Sequence, residues 1–360
     1  MTAVLAPIRL ADVLHVARLR NASDVHLCAD SAPVMRVDGA LELQPTLMPG
    51  VEEIEAITNA MLSKTARAQM DASGDASVTY RDNEVGSIRV HAYRTSRGIS
   101  LAMRLLSASV PTLEALHLPA VVMTFADRPA GLVLFTGPTG SGKSTALAAM
   151  IDYINRTQAK HIITIEDPIE YEHRSNRSII SQRHVGIDVP SFADAIYGAL
   201  RCDPNVILIG EMREPSTMHA ALTAAETGHL VLATLHTGDA PQTVDRIIGA
   251  FSGETQEQIR VQLAQSLIAV VCMRLVPRAC GQGRRSAIEL LLANDAVRNL
   301  IRDGKTHQLR NIISTSRQTG MQTLEAHLSD LIARREITFE AAKAATARTA
   351  EVRSSTGTIA

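Results

Sequence analysis

Tryptophan is missing from this chain of 360 residues, and five Phe with five Tyr bring its aromatic content to only 3%. Platforms that stack single-stranded bases need exposed rings, so that class of nucleic-acid binder is disfavoured. An excess of one charge is missing too: 36 basic residues stand against 37 acidic ones, a net of −1. No overall basic field is available to hold nucleic acid, which leaves a local patch as the only route to it. Paired cysteines are absent, because Cys28, Cys202, Cys272 and Cys280 are scattered with no CxxC spacing. Neither a zinc module nor a disulfide framework is indicated, and a reduced cytoplasm fits best. Long apolar runs are lacking as well. The strongest, around Leu267 to Met273, falls well short of the ~20 residues needed to span a membrane. The opening stretch MTAVLAPIRLADVLH has no basic n-region and is interrupted by Arg9 and Asp12, unlike a secretory signal. The expectation is a soluble cytoplasmic protein.

What remains is a globular composition, 46% hydrophobic and 20% charged, in a length that suits two domains. Residues 1–107 read as an α+β module. A short helix around Val13 to Arg20 precedes strand-like alternation at Asp24–Leu27 and Val34–Val37, a turn at Asp38-Gly39, and further alternation from Ser87 to Leu106. Residues 108–119, with Pro111 and Pro119, read as a flexible linker. From 120 to 360 the runs GLVLFTG, HIITIED, VILIGE and HLVLATLHT alternate with helical patterns. They are apolar throughout, as parallel strands buried on both faces should be. Beyond Thr255 the pattern reads as mostly helical, with one helix over Gln256–Met273 and others near Asp295–Asp303, Gln322–Arg335 and Glu340–Thr349.

Gly137-Pro138-Thr139-Gly140-Ser141-Gly142-Lys143-Ser144-Thr145 matches GxxxxGK[ST] between an apolar strand and a run of helix formers, Ala146 to Ile151. That is the context a phosphate-binding loop requires. Its glycines let backbone N–H groups turn inward around a phosphate, and the following helix N-terminus adds positive potential. Lys143 is expected to reach the β- and γ-phosphates of ATP, and Ser144 to offer its hydroxyl to Mg²⁺. The bland alternative, a glycine-rich turn without ligand, fits the flanking strand and helix less well.

Val206-Ile207-Leu208-Ile209-Gly210-Glu211 has the form of a Walker B strand, with Glu211 facing Mg²⁺ and its water. A strand ending in Glu is common by itself; the phosphate loop gives this one its meaning. A third strand, Ile162–Glu166, runs into the carboxylates Glu166, Asp167 and Glu170. The C-terminal strand edges of a doubly wound sheet face the ligand, which places Glu166 as the general base on the attacking water. Glu170 either joins the site or merely rims it. His229 and His236 flank Leu230–Leu235 and lie at its two ends. Each reads as a satisfied structural histidine or as a γ-phosphate sensor, with Thr234 and Thr237 as further sensor hydroxyls.

The segments GPTGSGKST, TIEDPIEYEH, ALRCDPNVILIGEMRE and TAAETGHLVLATLHT, in this order, resemble the Walker A, Asp box, Walker B and His box of the secretion-superfamily hexameric ATPases. Within them the chain is most similar to the PilT-type retraction ATPases of type IV pili. Asn21 to Leu27 resembles that family's N-terminal ASDLHL segment. Ala296, Val297, Arg298 and Asn299, continuing to Lys305, resemble its C-terminal AIRNLIRE segment, which is implicated in retraction. The paired-CxxC insertion usual in the assembly relatives is missing. The resemblance implies an α/β fold, with a RecA-like P-loop ATPase core joined to a smaller PAS-like α+β N-terminal domain. It further implies a homohexamer, with ATP and Mg²⁺ held between the domains. Lys143 and Ser144 would hold phosphates and metal, Glu166 would activate water, Glu211 would support the metal, and His229 and His236 would sense the γ-phosphate. Arg89 and Arg104, and less closely Arg94 and Arg97, match the arginines that close the site. The implied function is pilus retraction and twitching motility from the cytoplasmic face of the inner membrane. A pilus platform protein there and PilU- or PilB-type paralogues are the implied partners, and nucleic acid is not among them. An accessory PilU-like paralogue, or another secretion or conjugation ATPase, is the neighbouring reading. A nucleic-acid motor and a regulatory subunit with little turnover are the readings from other classes.

Overall fold

The computed structural model describes residues 9–37, 40–44, 48–82, 84–105 and 110–353. The chain divides into two compact units, Met1–Ser109 and Val110–Ala360.

The first unit runs α1 (Leu10–Leu19), β1 (Asp24–Cys28), β2 (Val34–Val37), β3 (Ala40–Leu43), α2 (Val51–Met61), α3 (Lys64–Ser73), β4 (Asp75–Asp82), β5 (Gly86–Thr95) and β6 (Gly98–Leu105). Its strands form one antiparallel sheet in the order β3-β2-β1-β6-β5-β4. The period-2 alternation decides its faces. Val25, Leu27, Ile88, Val90, Ala92, Leu101 and Met103 are buried with Leu14, Ala17, Ile54 and Met70 of the helices. The stretch from Ser87 is a hairpin, closed where Thr95 pairs with Gly98. Asp38-Gly39, expected as a turn, lies outside the described residues, between the paired Val37 and Ala40.

The second unit continues with α4 (Ala120–Met123), β7 (Gly131–Thr136), α5 (Lys143–Thr157), β8 (His161–Glu166), β9 (Ile179–His184), α6 (Phe192–Ala199) and β10 (Val206–Ile209). There follow α7 (Pro215–Glu226), β11 (Leu230–Leu235), α8 (Ala240–Ile248), α9 (Gly253–Ser266), β12 (Leu267–Pro277) and β13 (Arg284–Leu292). The described part closes with α10 (Asp295–Arg302), α11 (Leu309–Thr315), α12 (Leu324–Ala333) and α13 (Phe339–Ala344). The sheet order is β13-β12-β7-β11-β10-β8-β9, parallel throughout except for the antiparallel β12–β13 pair. Both faces are covered. Val133, Phe135 and Met273 pack with α5, whereas Leu132, Leu134 and Val270 pack with α7, α8 and α9. β7, β10 and β11 are buried along their whole length, which is why their sequences are uniformly apolar.

Two expectations need correction. The helix over Gln256–Met273 ends at Ser266, and Leu267–Pro277 is a strand wedged between β7 and β13. A strand buried along most of its length shows no polar face over that stretch, so periodicity does not separate it from a buried helix. The mostly helical reading beyond Thr255 also missed β13. The expected linker is described from Val110 onward, and there Val110, Leu113, Leu116 and Leu118 pack into the α5-side core.

Candidate functional site

β7, β8, β10 and β11 run parallel, so their C-terminal ends lie along one edge of the sheet. Gly137, Glu166, Glu211 and His236 stand at or just beyond those ends. Gly137 admits no side chain: its φ is +137°, and a Cβ there would come within 2.3 Å of the Met273 carbonyl oxygen of β12. Gly142, at φ +92°, makes the turn into α5. Lys143 opens that helix at 7% exposure, its Nζ donating to the carbonyls of Gly137 at 2.8 Å and Pro138 at 2.9 Å. Burial lowers its pKa, and Glu211 and Glu170 oppose the shift. The loop therefore concentrates a cation, a helix N-terminus and flexible backbone at one point, the composition of an anion cradle.

The Asp-box loop folds back over this helix. Ser144 Oγ donates to Glu170 Oε1 at 3.2 Å, and Thr145 Oγ1 lies 2.9 Å from the Tyr171 hydroxyl. The peptide bond between Asp167 and Pro168 is cis. Glu166 is partly buried, and its Oε1 accepts from Thr164 Oγ1 at 2.6 Å and from Gln182 Nε2 at 3.2 Å. Burial raises its pKa, and those two donors hold the rise back. A carboxylate so placed is a competent proton acceptor.

Glu211 Oε1 lies 3.1 Å from His236 Nε2 and 2.5 Å from Arg213 Nε. His229 does not join them. It precedes β11 at the opposite sheet edge, where its ring Nδ1 lies 3.0 Å from Ala224 O and 3.2 Å from Thr227 Oγ1. A six-residue strand is roughly 20 Å long, so only the second histidine stands by the phosphate loop. Thr234 is buried with its hydroxyl on Gly210 O at 2.5 Å, and Thr237 Oγ1 lies 2.7 Å from Thr243 Oγ1. Both hydroxyls are committed to structure.

The oxygen donors suit a hard cation such as Mg²⁺. The carboxylate bonded to the Ser144 hydroxyl is that of Glu170, and Glu211 also acts on Lys143. Among the described residues no cluster of three His, Cys, Asp or Glu side chains forms a metal cage. An ion shared with phosphates and water needs none.

The four arginines all belong to the first unit. Arg89 of β5 and Arg104 of β6 are cross-strand neighbours, and Arg104 Nε donates to Asp24 Oδ1 at 2.9 Å. Arg94 pairs with Asp71 at 3.1 Å, and the Arg97 backbone N–H donates to Thr95 Oγ1. Ala296, Val297, Arg298 and Asn299 lie in the first turns of α10. Val297 is buried, and Arg298 donates to Ala264 O, to Gln265 O at 2.6 Å and to Leu267 O at 3.0 Å. Leu267 opens β12, so this segment occupies the sheet edge opposite the phosphate loop, beside a cavity of about 630 Å³.

Sequence reasoning missed Gln182, Arg213 and the role of Glu170. Glu170 was visible as the third carboxylate of its run. Gln182 reaches Glu166 from the neighbouring β9, a pairing that no local signal reports.

A phosphate loop on a mostly parallel sheet, with carboxylates and a histidine at the strand ends, defines a P-loop nucleoside triphosphatase. The chain belongs to the family described as Type II/IV secretion system protein, which matches residues 4–359. It is 41% identical over 334 residues to the Twitching motility protein of Neisseria gonorrhoeae, covering 93% of this chain and 89% of that protein. It is 40% identical over 336 residues to the type IV pilus retraction ATPase PilT of Pseudomonas aeruginosa, covering 93% and 97%. A crystal structure of the pilus retraction motor PilT with bound ADP aligns with a TM-score of 0.87 at 41% identity, over 94% of this chain and 97% of that one. The expected family and α/β fold class are borne out.

Proposed function

We propose that this chain is an ATP hydrolase that powers type IV pilus retraction, and with it twitching motility. The observation that carries the reading is the gathering of Lys143, Glu166 and the Glu211–His236 pair at one sheet edge. It occurs in a chain similar to retraction ATPases over nearly its whole length. Lys143 and the loop N–H groups hold the phosphates, and Glu166 accepts the proton of the attacking water. His236 reads the terminal phosphate and reports it to Glu211. Ser144 with Glu170 or Glu211 would hold Mg²⁺, which would supply positive charge to the phosphates when bound. Arg89 and Arg104 are the first choices for dispersing charge in the transition state, ahead of Arg94 and Arg97.

The working form is a homohexamer that acts on a platform protein at the inner face of the cytoplasmic membrane. No helix among the described residues is long and apolar enough to cross a membrane, and a motor of this kind needs none. Deleting the gene and imaging surface pili tests the function. Excess unretracted pili with lost twitching support retraction, and an absence of pili points to assembly. Complementation with Lys143→Ala should fail, and the purified variant should show no hydrolysis above background, because the phosphates lose their main cation. Normal turnover in that variant sinks the site. Normal retraction on deletion leaves the accessory paralogue as the better reading.

A further inference from the structure

Glu289 is a buried carboxylate that the reaction just described does not use. It stands in β13 at 3% exposure. Across the sheet it shares a row with Cys272 of β12, Thr136 of β7 and Leu235 of β11. The residues that directly follow β7 and β11 are Gly137 and His236. Glu289 thus lies in the strand row directly beneath the phosphate loop and the histidine.

A carboxylate withdrawn from water persists only where partners offset the loss. Oε1 of Glu289 accepts the backbone N–H of Ala240 at 2.8 Å, the first residue of α8. Oε2 faces Arg310 Nη1 at 3.8 Å. Arg310 is held in turn by Glu325 at 2.9 Å and by Glu351, and Glu325 also accepts from Thr346 Oγ1 at 2.6 Å. Burial pushes the Glu289 carboxyl up, with Asp239 and Glu325 adding to the rise, while the Ala240 N–H and Arg310 oppose it.

The connection to the nucleotide edge is short. Asp239 caps α8 by accepting Gln242 N at 2.9 Å, and Thr243 Oγ1 donates to Asp239 O at 2.7 Å while lying 2.7 Å from Thr237 Oγ1. The loop from His236 to Asp239 is therefore tied by hydrogen bonds to the first turn of α8. At its other end His236 lies 3.1 Å from Glu211. Free N–H groups at a helix start attract an acceptor, and here the acceptor comes from a different strand.

We propose that Glu289 is a positioning residue for hydrolysis: by accepting the Ala240 N–H it fixes the first turn of α8, and with it the placement of His236 against Glu211. Buried in the strand row beneath the phosphate loop, it acts on the rate and leaves binding alone. The inference rests on the ATPase reading above.

The test uses the full-length protein and compares Glu289→Gln with Glu289→Asp. Glutamine keeps an acceptor at the same reach; aspartate keeps the charge but stops one methylene short. For both, kcat and KM for ATP are measured with the affinity for a fluorescent ADP (mant-ADP), and circular dichroism checks folding. Glu289→Gln should stay within about threefold of the wild-type kcat, while Glu289→Asp should fall about tenfold or more. KM and mant-ADP affinity should stay within about twofold in both. A charge needed only to balance Arg310 reverses the order, with aspartate benign and glutamine harmful, and that result overturns the proposal. So does a loss of kcat matched by lost mant-ADP affinity. If Glu289→Asp fails to fold, Thr243→Val carries the same expectation, because it cuts the bonds that join Thr237 to α8. A wild-type protein without hydrolysis defeats the ATPase reading itself, a separate outcome.

Discussion

Two donors and the surrounding burial compete over the proton of Glu166. Burial favours the neutral acid, whereas the Thr164 hydroxyl and the Gln182 amide favour the carboxylate. A general base works only when ionised. Hydrolysis should therefore rise with pH through a pKa that lies above the ordinary carboxylate value of 4.5, and be lost as the pH falls through it. Thr164→Val is close to isosteric at a buried position and removes one donor to the charged form. It should move the acid limb of kcat to higher pH with KM for ATP unchanged, as rate profiles between pH 5 and 9 would reveal. Glu166→Gln should lower kcat by roughly 10²–10⁴-fold while nucleotide binding persists. An unshifted limb in Thr164→Val together with an active Glu166→Gln assigns the base elsewhere.

Helix α10 shows how an element changes the meaning of its residues. By resemblance, Arg298 and Asn299 are a pair in a segment implicated in retraction, and altering them together looks like a clean separation of motility from hydrolysis. The structure separates them. Arg298 donates to three main-chain carbonyls where α9 gives way to β12, whereas Asn299 is exposed on the next turn position. Carbonyls at a helix end that lose a charged donor cost about 1–3 kcal/mol. Arg298→Ala should accordingly lower the melting temperature by several degrees, at roughly 2–4 °C per kcal/mol for a unit of this size. Asn299→Ala should leave it nearly unchanged. Thermal melts read both, and equal melts for the two variants refute the capping role. The same junction explains why the sequence misled: Ile268 to Met273 is apolar on every side, and only its neighbours β7 and β13 make it a strand.

At the scale of the molecule, what was legible followed chain adjacency. The phosphate loop, the acidic ends of β8 and β10, and the histidine after β11 are contiguous motifs whose spacing carries their chemistry. Gln182 on Glu166 joins neighbouring strands and Glu289 on Ala240 joins β13 to the start of α8, 16 and 49 residues apart, and no local pattern announces them. The division into two units has its own consequence. The first unit closes its core with Leu14, Val25, Ile88 and Leu101, and the second with separate clusters around β7, β11 and β12. Val110, Leu113, Leu116 and Leu118 belong to the second, so a cut just before Val110 leaves that core intact. A unit of about 250 residues buries ample apolar surface to fold alone. Residues 110–360 expressed by themselves should melt cooperatively and bind mant-ADP within about threefold of the full chain, because the phosphate loop and its carboxylates are all retained. Their hydrolysis rate then measures the first unit's share directly: a tenfold or larger loss at unchanged affinity is expected if Arg89 and Arg104 disperse transition-state charge, and full activity removes those arginines from the mechanism.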